Sequence, residues 1–495
     1  MVEVNNDKKP KNSTRRALAM SFVQRMVTLV FSFGSTIILS RLLTPSEIGI
    51  FSVAAGLLAL VNMLRDFGVS EFLVQERHLD RTLVHTVFTM NLLIAWSLGG
   101  ILFGGSNFIA DFYGDPGVGQ VLRVMSLMFF LLPFGTTTQA QLSRELEFGK
   151  LAKIHTVGSI TRGCTKVALA YAGFSYMSLA WGDVAGMVLT IAGFTLWGWR
   201  YRVRGLSFVH WRRVLHFGSS RTVSDVATQL GDQSASLVIG KMLGMTSAGL
   251  FSRGYGVVSM YRENIVGAIE SVAFPAFARE HREHAKAPEL LLKALVYTTG
   301  IGWPFFSCGI LLAYPVIRIL FGDQWDAAVP LMRWLCAAAL IGTLMYQCNR
   351  FLVAVGRVRT ATRVEVTYQI ARIGITIAAA YHSLEAVAAS QVLVYVLATA
   401  LYYSRLRTYD VLAIGNCAKA LVPSVVVTLA TCVVPAAVVF WPGLVVQHMI
   451  PSFALAFVGG VAGWLVAIVA TRHPLHSELR GVLSRLRDRY VSLRA

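Results

Sequence analysis

The chain has 495 residues, of which 55% are hydrophobic and only 14% charged, with a formal net charge of +19. Charge this scarce, interrupted by apolar runs too long for ordinary core helices, excludes a typical soluble protein and reads as an all-α polytopic membrane protein. The basic residues are distributed from loop to loop instead of being gathered in one domain, which argues against nucleic acid as a partner.

Windows of about twenty residues give about fourteen candidate spans. They lie near 17–40, 49–73, 84–107, 119–140, 151–172, 177–197, 214–240, 248–271, 291–313, 328–348, 360–381, 385–404, 419–441 and 449–471. Ahead of the first, the chain is polar and basic (Lys8, Lys9, Lys11, Arg15, Arg16). No small-residue cleavage site follows a short apolar run, so no cleavable signal peptide is expected and the first span itself starts insertion. Basic clusters recur in alternate loops (144–153, 200–213, 279–293, 350–363, 405–419 and 472–494), whereas the intervening loops, such as 111–115 and 322–326, are short and mostly neutral or acidic. By the positive-inside rule both termini are expected in the cytoplasm.

The first span carries Ser21, Arg25, Thr28, Ser32 and Ser35 at steps of four, three, four and three, which places them on one helical face. A polar turn follows, Arg41 to Ser52, and it recurs without a gap at Lys241 to Ser252, with Leu43/Leu243, Gly49/Gly249, Phe51/Phe251 and Ser52/Ser252 in register. The second span holds Asn62 and Arg65-Asp66, where a snorkelling arginine and a local ion pair near the cytoplasmic boundary compete with a cavity role. The fifth is too polar to face lipid: His155, Ser159, Arg162 and Lys166 line one face, and two cations inside a span need water, protein partners or an anion. Asp183 in the sixth is read as an outer-interface residue. The linker 200–213 alternates cations with aromatic and aliphatic residues and suits an anionic cytoplasmic leaflet.

The seventh span repeats the first, with Arg221, Asp225, Thr228 and Asp232 at the matching positions, so Arg25 is matched by Asp225. In the eighth, Tyr255, Ser259 and Arg262 share a face, with Glu263 adjacent. A deep isolated arginine costs about 2.5–3.5 kcal/mol on the lenient insertion scale, which marks Arg262 as a site residue. Phe112-Tyr113-Gly114-Asp115 is echoed by Leu320-Phe321-Gly322-Asp323, and Gly149-Lys150 by Gly356-Arg357, so the repeat unit covers about six spans. The eleventh span sets Glu365, Tyr368, Arg372 and Thr376 on one face. Hydrogen bonding to neighbouring helices is the plain alternative for such stripes, and it accounts least well for Arg162 and Arg372. The last two spans lack charge at their centres, Pro423 and Pro435 are placed to bend the first of them, and the tail after Pro474 has the pattern of a basic amphipathic helix.

The expected organisation is two pseudo-symmetric six-helix bundles plus two C-terminal helices. In numbers, it is a basic tail at 1–16, a bundle at 17–199, the linker at 200–213, a bundle at 214–407, a connection with two extra spans at 408–471, and a basic tail at 472–495. The six cysteines have neither disulfide nor metal spacing and read as packing residues, and no cofactor is expected. No nucleophile, metal cluster or phosphate-binding glycine loop appears, and the outer loops are short, which disfavours a membrane enzyme.

Two six-span repeats with a basic N-terminus, Leu42-Leu43-Thr44-Pro45-Ser46-Glu47-Ile48-Gly49, then Arg65-Asp66-Phe67-Gly68 and Gln75, resemble the Wzx-type polysaccharide flippases of the multidrug/oligosaccharidyl-lipid/polysaccharide exporter superfamily, and most closely their exopolysaccharide and colanic-acid branch. The resemblance covers nearly the whole chain. It implies an undecaprenyl-pyrophosphate-linked oligosaccharide as substrate, moved between leaflets of a bacterial inner membrane by alternating access, with polysaccharide polymerase and export machinery as further partners. It also implies first- and eighth-helix arginines against the pyrophosphate, for which Arg25 and Arg262 are the fitting positions.

The residues point the same way. Arg25, Arg162, Lys166, Arg221, Arg262 and Arg372 are intramembrane cations that outnumber the deep acids, so a cavity lined by them is net positive and suits an anionic head group. Asp225, Asp232, Glu263 and Glu365 are the candidates for gating or ion coupling, with Arg25 and Asp225 expected to approach in one state and separate in another. A cation-coupled multidrug antiporter of the same architecture is the rival reading, and an arginine-rich cavity repels cationic drugs.

Overall fold

The computed structural model describes residues 11–66, 80–145, 147–199, 203, 205–283, 286–441, 448–478 and 480–481, with side chains described for all of these except 11–23, 25, 66, 214–225 and 410. All regular secondary structure among them is helical. The chain divides into two compact units, Met1–Gln229 and Leu230–Ala495.

In unit 1, α1 (Lys11–Leu42) leads through a short turn into α2 (Pro45–Asp66). The turn is a capping box: Thr44 N–H donates to Glu47 Oε2 at 2.7 Å, Glu47 N–H donates back to Thr44 Oγ1, and Pro45 opens the helix where no amide partner is needed. Leu43 is buried beneath it. Next come α3 (Arg81–Tyr113), α4 (Pro116–Leu131) and α5 (Pro133–Arg144). Gly114, in the left-handed region, ends α3, and Asp115 starts α4 by accepting from Gly117 N–H at 2.8 Å. The expected fourth span is a bent pair, α4 and α5 meeting at 51°. Pro133 lies at the break, where it lacks an amide donor and its ring would crowd the preceding turn. Helices α6 (Phe148–Tyr171) and α7 (Met177–Trp197) form a hairpin, with α1 packed on α6 and α4 on α7. The interior holds Val53, Val87, Val118, Leu122 and Phe129.

Helix α8 (Trp211–Met242) crosses the division between units. In unit 2 it turns into α9 (Met245–Tyr261), a π-helical turn at Arg262–Val266 and α10 (Gly267–Glu283), then α11 (Ala287–Leu311), α12 (Ala313–Phe321) and α13 (Val329–Gly342). Helices α14 (Cys348–Ala354), α15 (Val358–Ala380) and α16 (Leu384–Leu406) complete the second half. Its core gathers Phe277, Leu291, Phe351, Leu352, Tyr402 and Leu406. The second copy of the repeated turn lacks the capping box. Gly244 takes φ +85° there, a conformation open to glycine, and serves as N-cap of α9.

The extra helices α17 (Ile414–Phe440) and α18 (Met449–Ala470) belong to unit 2. Helix α17 runs through Pro423 and Pro435 without a break. Gly459 and Gly463 of α18 lie directly on Val434 and Ala430 of α17, the close approach that small residues permit between membrane helices. A buried polar chain joins α17 to the repeat: Thr299 of α11 bonds Ser424 of α17 at 3.0 Å, and Ser424 bonds His473 Nε2 at 3.2 Å. His473 Nδ1 accepts the Leu475 N–H at 3.2 Å, so the neutral Nε2–H tautomer satisfies both contacts, and burial holds its pKa below the usual imidazole value.

Each of the fourteen expected spans overlaps one or more helices among the described residues, but the count is not reached on length and apolarity. Eight helices qualify among the described residues, nine with the bent pair. Among the fully described helices, α6 and α15 do not qualify and carry polar stripes, while α1 is apolar over its described stretch Met26–Leu42. The tail helix expected after Pro474 is described only at its start, residues 475–478 and 480–481, which are helical. The rest of the tail, the segment containing Phe67, Gly68 and Gln75, and the side chains of Arg25, Arg221 and Asp225 lie outside what is described, so the expected Arg25/Asp225 gate does too.

Candidate functional site: a charge cluster in each unit

In unit 1 the cluster forms across the α6–α7 hairpin. Arg162 and Lys166 are one turn apart on α6, as their spacing requires, and both face Asp183 of α7. Lys166 Nζ lies 2.8 Å from Asp183 Oδ1, and Arg162 Nε lies 3.4 Å from the same oxygen. Glycine makes the approach possible. Gly182 abuts the Lys166 stem, and a Cβ on Gly186 would meet Arg162 Cβ at 2.7 Å, so a larger residue at either place would push α7 off α6. Lys166 also sits 5.3 Å above the Phe51 ring, a cation–π contact. Asp183 is therefore buried and paired with both cations. His155, lower on the same face, stacks edge-on against Phe194.

In unit 2 three helices meet. Asp232 of α8 receives Arg262 through both oxygens, at 3.2 and 2.6 Å, and Arg372 of α15 on Oδ1 at 2.6 Å. Gly231 allows this, because α8 there lies directly against Gln369 of α15, three residues before Arg372. Arg262 opens the π-turn, a local irregularity that recurs at functional sites. The α15 stripe is real: Glu365, Tyr368, Arg372 and Thr376 are all buried.

The structure thus brings Arg162 with Lys166, and Arg262 with Arg372, each pair around one acid. Glu365 belongs to a different network two turns along α15, where it accepts from Tyr402 OH, from Gln369 Nε2 at 2.8 Å and from Asn349 Nδ2 at 3.2 Å. Glu263 is exposed. One deep cation escaped the sequence reading: Arg253 of α9 lies 5.6 Å from the Phe321 ring and 5.5 Å from that of Trp325. Its signal was available, a cation within the eighth span, but its partners come from a turn about seventy residues away. Among the described residues no group of His, Cys, Asp or Glu could hold a metal ion.

These features define a class, a polytopic helical membrane protein with a charged cluster inside each of two units. The fold is shared with the exporter superfamily expected from sequence. It matches the lipid II flippase MurJ in an inward closed conformation with a TM-score of 0.74 at 13% identity, over 92% of this chain and 98% of that one. It matches an inward-facing multidrug resistance MATE family transporter at 0.57 and 14% identity, over 78% and 98%. Residues 38–330, more than half of the chain, match the family described as "Polysaccharide biosynthesis protein", and the chain belongs to that family. Among relatives, it is 28% identical over 340 residues to the succinoglycan biosynthesis transport protein ExoT of Rhizobium meliloti (strain 1021), covering 68% of each chain. It is 24% identical over 323 residues to the lipopolysaccharide biosynthesis protein WzxC of Escherichia coli (strain K12), covering 65% of this chain and 66% of that one. A probable low-salt glycan biosynthesis flippase of Haloferax volcanii, Agl15, is 20% identical over 366 residues, covering 70% and 75%.

Proposed function

We propose that this protein is a flippase that moves undecaprenyl-pyrophosphate-linked oligosaccharide repeat units from the cytoplasmic to the periplasmic leaflet of a bacterial inner membrane, for exopolysaccharide or lipopolysaccharide biosynthesis. One observation supports this above the others. In each unit two cations share a single carboxylate among membrane helices, leaving an excess of one positive charge per cluster. A cation excess away from bulk water favours an anionic head group and disfavours cationic drugs, so the likeness to multidrug transporters is one of fold. The relatives' roles as a transport protein and a probable flippase agree with this reading. Arg162, Lys166, Arg262 and Arg372 are the proposed cations of the head-group site, whether they contact the head group or hold the acids beside it, joined by Arg25 and Arg221, and Asp225, Asp232, Glu263 and Glu365 the proposed gating acids. Cytoplasmic termini, and a polymerase and export machinery as downstream partners, complete the proposal.

A membrane potential supplies about 2.3 kcal/mol per charge per 100 mV. A pyrophosphate with about two negative charges leaving a negative cytoplasm therefore gains several kcal/mol with no coupling ion. Deletion of the gene followed by tracking of lipid-linked repeat units tests the function. Accumulation on the cytoplasmic side, reversed by the wild-type copy and not by Arg262→Gln, is the expected result. Normal periplasmic delivery in the deletion strain would overturn it.

A further inference from the structure

In both clusters the two cations differ in the same way. Arg372 is buried, with 3% of its side chain exposed, while Arg262 on the same acid is 36% exposed. In unit 1 Lys166 is 16% exposed and Arg162 43%, and Arg162 holds Asp183 at the longer distance with its Nε making no hydrogen bond. One acid thus has an inner cation and an outer arginine. We propose that the outer arginines, Arg262 and Arg162, are exchangeable arms parked on Asp232 and Asp183 and handed to an oxyanion, while Arg372 and Lys166 stay behind as permanent counter-ions.

The physical reason for a second cation follows from burial. An arginine that leaves a buried carboxylate for a phosphate strands a bare charge, which is strongly unfavourable. With Arg372 bonded to Oδ1, Asp232 stays neutralised when Arg262 departs from Oδ2, and the exchange trades one anionic partner for another. Arg372 is accordingly a positioning residue that does not touch the head group, although it is one of the six cations in the stripes. Its location three residues beyond Gln369, on the helix that Gly231 lets α8 approach, fixes it beneath the acid. The two units present the arm differently: Arg262 is held by two hydrogen bonds, and Arg162 is already half released.

The proposal rests on the anion-transport reading, and its test separates the two. The purified full-length protein in detergent is treated with phenylglyoxal, and labelling of each arginine is followed by peptide mass spectrometry with and without inorganic pyrophosphate. Arg262 should label and Arg372 should not, Asp232→Asn should raise the Arg262 rate several-fold, and pyrophosphate should protect Arg262. Arg372→Gln should lower both Arg262 labelling and pyrophosphate affinity by about tenfold, because Arg262 is then the acid's only cation among the described residues. The double variant Asp232→Asn/Arg372→Gln should restore both, which a purely structural role for Arg372 would not do. If Arg372→Gln does not fold, Lys166→Met in unit 1 gives the same readout at Arg162. Equal labelling of Arg262 and Arg372, or no rescue in the double variant, overturns the exchange. If the labelling pattern holds but pyrophosphate protects nothing, the exchangeable arms stand and the anion reading fails.

Discussion

The two charge clusters share a composition and differ in how the chain assembles them. In unit 1 both cations come from α6 and the acid from α7, so a single hairpin builds the whole group. In unit 2 the acid, the bidentate arginine and the buried arginine come from α8, the π-turn after α9, and α15, separated by about 30 and 140 residues. The contrast shows that the repeat preserves a charge pattern, two cations to one acid, without preserving the positions that supply it. It also separates their structural roles: the unit 1 cluster closes a local contact, whereas the unit 2 cluster ties three distant helices together.

The largest expected effect follows from that difference. Asp232→Ala leaves two arginines, one of them fully buried, without their shared partner and should destabilise unit 2 by about 3–5 kcal/mol. Asp183→Ala, whose arginine is already partly solvated, should cost about 1–3 kcal/mol. Thermal unfolding of both variants in detergent checks the order, and equal losses would mean that the three-helix arrangement adds nothing. Next come the two copies of the repeated turn. Gly244→Ala forces a β-carbon into φ +85° and should cost about 1–2 kcal/mol. Thr44→Ala removes a capping hydroxyl and should cost about 1 kcal/mol. Reversal of that ranking in chemical unfolding would show that the first turn depends on its cap more than the second depends on backbone freedom.

The smallest effect concerns only unit 2. Because His473 has a pKa below its ordinary value in the fold, the unfolded chain takes up the proton first. The stabilisation is thus complete above the ordinary imidazole pKa and is lost as pH falls through the depressed one, when Nδ1 can no longer accept from Leu475 N–H. Unfolding temperature compared between neutral and mildly acidic buffer should fall more for the wild type than for His473→Gln; parallel curves would remove His473 as the cause.

Much of this was readable in the chain itself. A lone arginine deep in an apolar segment, Arg262, announces a partner through its energetic cost, and the four-three-four steps in α15 place Glu365, Tyr368, Arg372 and Thr376 on the face that is in fact buried. The identity of the partner was not readable. Asp232 meets Arg372 because α8 and α15 touch, and that contact rests on tertiary packing at Gly231 that no local pattern encodes. The pairing of Asp183 with Arg162 and Lys166 was hidden for a related reason: a residue near the start of a span has the same sequence signature whether it faces head groups or a neighbouring helix. In α6 and α15 the apolar criterion fails because the charged stripes that mark the interior also lower the hydropathy of the helices bearing them, whereas α1 is apolar over Met26–Leu42.

The π-turn has a consequence for comparing the halves. Leu43 and Leu243 are 200 positions apart, but Gly114 and Gly322 are 208 apart, so the second half is longer between equivalent turns. A turn in which Gly267 N–H reaches back five residues to the Arg262 carbonyl houses one surplus residue without interrupting the helix, and everything after it is rephased by about 100° around the axis. An ungapped alignment carried through Arg262 therefore pairs residues from different sides of the rod, and the kinship of the halves must be traced separately upstream and downstream of that point.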